Sequence, residues 1–159
     1  MSSYKNRVDF ISRTLSLFDK YEKDCGYEKT LFLNFCLGLL VIPQQCAAQD
    51  SNLHVTDIVD DNSWGINIDK IKENETVAGL DKNSAENIAR HIRNSITHYR
   101  FDIIKANANL ERIKMIHLKD FSIVGGEEKV TFDLTLEFND FKKFVLKYAK
   151  EKKEKLKTV

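Results

Sequence analysis

The run "LFLNFCLGLLVI", Leu31 to Ile42, constrains the fold more than any other part of the chain. It is apolar on nearly every side of a helical wheel, which predicts a buried central helix. It is also too short to cross a bilayer, which needs about 20 residues. Pro43 follows at once. It cannot donate to a continuing helix, so it predicts a kink or a stop, with "QQCAAQ" free to resume as helix.

Other segments read as partners for that helix. Tyr4, Val8, Ile11, Leu15 and Phe18 recur at alternating spacings of four and three, giving one apolar stripe on a helix from about Ser3 to Asp24. Gly26 suits its end. A third helix runs from Asn83 or Ser84 to His98, with Ser84 as its cap and Asn87 near a capping-box position. A last helix follows Asn139 or Asp140, with Phe141, Phe144, Val145 and Tyr148 on one face. Val130, Phe132, Leu134 and Leu136 alternate with polar residues, as in a half-buried strand, and Gly125-Gly126 predicts a hairpin turn. Asp50 to Leu80 reads as irregular, with one short helix in "WGINIDKIKE" and Trp64 as a packing anchor. The expected fold is mostly α: an antiparallel helical bundle with a small β-hairpin before the C-terminal helix, residues 1–159 forming a single domain.

The formal net charge is +1, so the chain carries no overall basic field, and any polyanion must meet a local patch. The three cysteines, Cys25, Cys36 and Cys46, have no C-x-x-C spacing and predict a reduced, cytoplasmic protein. "MSSYKNRVDF" has no apolar signal core. The histidines His54, His91, His98 and His117 show no metal-ligand spacing, so neither a metal nor a cofactor is expected. Lys147 to Lys157 holds six lysines against two glutamates, and reads either as a solvated helix end or as an RNA-contacting tail.

The chemistry concentrates in "ENIARHIRNSITHYRF", Glu86 to Phe101. At about 100° per residue, Ala85, Ile88, Ala89, Ile92, Ile96 and Tyr99 form a core stripe. Tyr99 is therefore expected to pack inside the bundle. Arg90, Asn94, Thr97 and His98 lie opposite, with Arg93 on the border. Asn94 and His98 are neighbours at i and i+4. An imidazole exchanges protons near neutrality, and a guanidinium offers a planar fork that matches phosphate oxygens. Together, with no carboxylate cluster beside them, they suit phosphodiester chemistry on RNA, where the 2′-hydroxyl can be the nucleophile. The plain alternative is a histidine favoured by the helix dipole and an ordinary polar face.

"RNSITH", Arg93 to His98, resembles the R-x4-6-H motif of the HEPN superfamily, and "ENIARHIRNSITH" resembles that family's longer helix pattern. "FLNFCLGLLVIPQQ", Phe32 to Gln45, is similar to an N-x-x-x-G-L-L-v-x-P-q helix of one bacterial HEPN-like branch. The resemblance covers most of the chain, though not Asp50 to Leu80. It implies a HEPN-like bundle that dimerises and often serves as a toxin or defence component. It implies Arg93 on the scissile phosphate, His98 as general base or acid, and Asn94 supporting the geometry. Arg90 and Arg100 flank the motif and are candidates for further RNA contacts at phosphates. The family often has glycine after the histidine, where this chain has Tyr99. One toxin branch reads R-x4-H-x-Y, and here Arg100 occupies that tyrosine's place. The implied function is a metal-independent endoribonuclease acting as a cytoplasmic homodimer, with RNA and an antitoxin or defence-system protein as partners and no membrane. The alternative is a catalytically silent HEPN-fold RNA-binding or regulatory subunit of a toxin–antitoxin or defence system.

Overall fold

In the computed structural model, which describes residues 7–21, 28–47, 50–76, 79–105 and 113–157, the apolar run does not form one uninterrupted α-helix. The first described element is α1 (Arg7–Tyr21). α2 (Glu28–Cys36) follows and passes through a π-helical turn, Leu37–Val41, into α3 (Ile42–Ala47). Pro43 explains the π turn. Proline lacks an N–H and crowds the preceding turn, and a widened turn relieves both demands without ending the helix. The Ile42 N–H accordingly reaches back to the Leu37 carbonyl. The run is also less enclosed than its composition predicts. Phe32, Cys36, Leu39 and Leu40 are buried, yet Leu37 and Ile42 are 50% and 43% exposed.

The chain divides into two compact units, Met1–Val55 with Val145–Val159, and Thr56–Phe144. In the first, Ile11, Thr14 and Phe18 of α1 are buried, and the Phe18 ring meets Phe32 and Phe35 edge-on at 5.4 and 5.5 Å. Gly38 permits the close approach of α1: a Cβ there would lie 2.9 Å from the Thr14 side chain. Lys152, within the lysine-rich C-terminal run, is buried and donates to the Leu53 carbonyl at 2.7 Å, so that run is not simply a solvated helix end. Tyr4, Cys25 and Gly26 lie outside the described residues.

The second unit holds α4 (Asp61–Trp64), β1 (Ile71–Asn74), α5 (Ala85–Thr97), β2 (Phe101–Lys105), β3 (Ile113–Val124) and β4 (Glu127–Glu137). It also holds the start of α6 (Phe138–Lys157), where Phe141 and Phe144 are fully buried; Val145 and Tyr148, fully buried as well, belong to the first unit. Trp64 packs on Phe144 at 5.7 Å, as an anchor should. The strands form one antiparallel sheet in the order β1-β4-β3-β2. The β3–β4 turn has Gly125 and Gly126 at φ 62° and 91°, the left-handed pair that a tight hairpin favours.

The expectation of a helical bundle with a small hairpin is therefore wrong. The fold is mixed α and β, built on a four-stranded sheet. The missed strands, β1 and β2, are the two edges of that sheet, four and five residues long. An edge strand buries little, so selection for a buried face leaves only a faint alternation in "IKEN" and "FDIIK". β1 replaces the end of the short helix expected in "WGINIDKIKE".

Candidate functional site

α5 begins where Ser84 caps it, its Oγ accepting the Asn87 N–H at 3.3 Å. Neighbouring backbone fixes that end: the Ala85 N–H donates to the Asp57 carbonyl at 2.8 Å and the Val59 N–H to the Asn83 carbonyl at 2.9 Å. Ala85, Ile88, Ala89, Ile92 and Ile96 are buried as the wheel predicts. A second row is buried too, and it is polar: Asn87, His91 and Ser95, spaced i, i+4, i+8.

Each member of that row is satisfied. The Asn87 amide donates to the carbonyls of Lys82 and Glu75 at 2.9 and 3.1 Å. The Ser95 hydroxyl donates to the His91 carbonyl at 2.8 Å. His91 places Nδ1 2.9 Å from Asp120 Oδ2 and Nε2 2.9 Å from the Glu75 carbonyl, and its ring stacks on Phe132 at 4.9 Å. A carboxylate and a carbonyl can only accept, so a ring nitrogen that carries a proton donates to whichever of the two it faces.

Asp120, on β3, is the hub. It continues the inward parity of Ile116 and Leu118 and is itself buried. A register shift in the β3–β4 pairing falls between Asp120 and Phe121, and bulges of this kind re-aim a side chain. Its Oδ2 also accepts from Asn94 Nδ2 at 2.8 Å, its Oδ1 accepts the Phe121 N–H at 2.9 Å, and Arg100 Nη1 lies 3.7 Å from Oδ1. Burial alone would raise its carboxyl. The hydrogen bonds from His91 and Asn94, the charge of His91 and the Phe121 amide outweigh burial and hold it below the usual carboxylate range.

The C-terminal end of α5 is a Schellman motif. The Arg100 N–H bonds the Ser95 carbonyl at 2.8 Å, and the Tyr99 N–H bonds that of Ile96 at 3.3 Å. His98 is the cap residue, and its imidazole is exposed, with no hydrogen bond among the described residues. Tyr99 takes the left-handed position at φ 55°, normally glycine's, and is 88% exposed. The expectation that Tyr99 packs in the core fails here. The helix ends at Thr97, and the left-handed residue turns the chain out of the stripe that a longer helix would have continued.

The structure thus gathers two of the expected site residues, Asn94 and Arg100, around Asp120. Arg100 also spans to Glu128 at 3.5 Å and lies over the Phe121 ring at 5.0 Å. Arg90 and Arg93 are half-buried, and His98 stands at the exposed helix end. Sequence reading passed over His91 and Asp120 as a pair. The legible signal was Asp120 itself, a carboxylate at an inward position of an alternating strand, which must find a partner. Among the described residues no group of three or more His, Cys, Asp or Glu could hold a metal ion. Among the same residues no helix is long and apolar enough to cross a membrane.

A family model described as HEPN pEK499 p136 matches residues 1–157. The chain belongs to this HEPN family. No curated protein and no solved structure matches it. HEPN membership supports a function of nuclease or RNA-binding type.

Within this HEPN chain the glycine that often follows the motif histidine acquires a physical meaning. The position after His98 is left-handed, and a side chain there is strained by about 1–2 kcal/mol. Tyr99→Gly is therefore expected to raise stability, by about 0.5–1 kcal/mol once glycine's greater unfolded-state freedom is subtracted. Chemical denaturation beside the wild type checks this; a clear loss of stability would show that the Tyr99 ring supports the fold.

Proposed function

We propose that the protein is a metal-independent HEPN-type endoribonuclease, a cytoplasmic homodimer of toxin or defence type in which residues 1–159 act as one functional domain. The observation that carries this reading is the placement of His98. The Schellman turn ends α5 so that an exposed imidazole, without a hydrogen bond among the described residues, stands one turn after Arg93 and Asn94. Such an imidazole can take the proton of a 2′-hydroxyl or return one to the leaving oxygen. Arg93 would clamp the phosphate through its planar fork. Asn94, tethered to Asp120, would hold the helix end in register. Arg90 and Arg100 would add phosphate contacts. Pairing two copies through this polar face would enclose a cleft around the same patch of each.

One observation favours the second reading, a silent RNA-binding or regulatory subunit: Asn94 and Arg100 both have structural partners in Asp120. Incubation with total RNA in excess EDTA separates the two. Cleaved RNA ending in cyclic phosphate is expected; RNA that stays intact across many substrates would favour the subunit. Sedimentation at micromolar concentration should show a dimer, and a monomer would remove the two-copy cleft.

A further inference from the structure

We propose that the hollow beside the end of α5 is a nucleotide subsite, in which a base of single-stranded RNA stacks on the Tyr99 ring. The first observation is the cost of that residue's placement. Tyr99 holds a left-handed backbone that glycine would adopt without strain, and its ring is 88% exposed, so burial returns little. Backbone strain of this kind clusters at active sites and ligand clamps.

The second observation is what surrounds the ring. Tyr99 stacks at 6.3 Å and 22° on Phe101, and both line a shallow hollow of about 170 Å³ with Arg100, His117, Lys119 and Phe121. Aromatic faces interleaved with cationic side chains are the chemistry of single-strand recognition. Every base offers a π-face, and the cations follow the backbone. His117 is held by Asp133 at 2.9 Å, which fixes one wall. Lys119 is 40% exposed and only loosely paired with Asp133 at 3.8 Å, so its ammonium can turn to a phosphate. Asp102, 84% exposed at the rim, can accept from a base amino group.

The third observation is position. Tyr99 directly follows His98 in the chain, so the subsite adjoins the residue to which the ribonuclease reading gives proton transfer. The subsite's part in cleavage rests on the ribonuclease reading; its binding of RNA does not.

The test uses the full chain and a short, fluorescein-labelled, single-stranded oligoribonucleotide whose 2′-hydroxyls are methylated, so that binding is read without cleavage. Tyr99→Gly removes the ring and suits the backbone, which keeps the variant folded. Its affinity by anisotropy is expected to fall about tenfold or more, and Tyr99→Trp to retain or exceed wild-type affinity. The same sequence as a duplex should bind with no dependence on Tyr99. Equal binding by Tyr99→Gly and wild type would overturn the proposal, as would the absence of any binding by the wild type. Parallel cleavage of unmodified RNA keeps the two readings apart. Cleavage with Tyr99-independent binding sinks the subsite alone, and Tyr99-dependent binding without cleavage sinks the nuclease alone.

Discussion

His98→Ala is expected to lower RNA cleavage by roughly 10²–10⁴-fold, the usual worth of a general acid or base. The fold should survive, because the imidazole is exposed and has no hydrogen bond among the described residues. A surface change of that kind usually alters stability by no more than about 0.5 kcal/mol. Arg93→Ala should also abolish cleavage, through loss of a phosphate clamp that strengthens in a water-poor cleft. Arg93 is half-buried, so its truncation carries some packing loss, and thermal unfolding must accompany the assay. Arg93→Lys should rescue poorly, because an ammonium cannot reproduce the planar fork. A folded His98→Ala protein that cleaves at the wild-type rate would end the ribonuclease reading.

The largest loss of stability is expected at Asp120. Asp120→Ala leaves the buried His91 without its carboxylate and Asn94 without its acceptor. Leaving a buried donor unsatisfied typically costs about 1–3 kcal/mol, and here two donors, on His91 and Asn94, lose their acceptor together. For a chain of this length that should lower the midpoint of thermal unfolding by roughly 10 °C. Asp120→Asn should cost less, about 1–3 kcal/mol. One amide oxygen can still accept from His91 and Asn94, but the amide nitrogen then faces the Phe121 N–H, a donor against a donor. The pH dependence has a definite sign. The folded carboxyl lies below its unfolded value, so between the two values the unfolded chain binds more protons and stability rises with pH. The contribution of Asp120 is complete above the ordinary carboxylate range, near pH 4, and is lost as pH falls through the depressed value. The gap in unfolding free energy between wild type and Asp120→Asn should narrow in acid. A gap that widens there would contradict the assigned hydrogen bonding.

Local chemistry was legible in the sequence where one element decides it alone. The apolar row Ala85, Ile88, Ala89, Ile92 and Ile96 is buried because a helix's period sets its face. Ser84 caps α5, Gly125-Gly126 turns the hairpin, and Phe141, Phe144, Val145 and Tyr148 enter the core for the same kind of reason. The R-x4-H spacing of Arg93 and His98 and its HEPN family were also present in the linear chain. Tertiary structure decided what depends on a second element. The edge strands β1 and β2 exist because β4 and β3 offer them hydrogen bonds, and neither "IKEN" nor "FDIIK" carries a buried face that announces it. The polar row of Asn87 and His91 is buried because Asp120 and the backbone around Glu75 arrive from elsewhere to satisfy it. Tyr99 lies outside the core because a Schellman turn, closed by backbone hydrogen bonds that no side-chain pattern records, ends the helix two residues before the apolar stripe does.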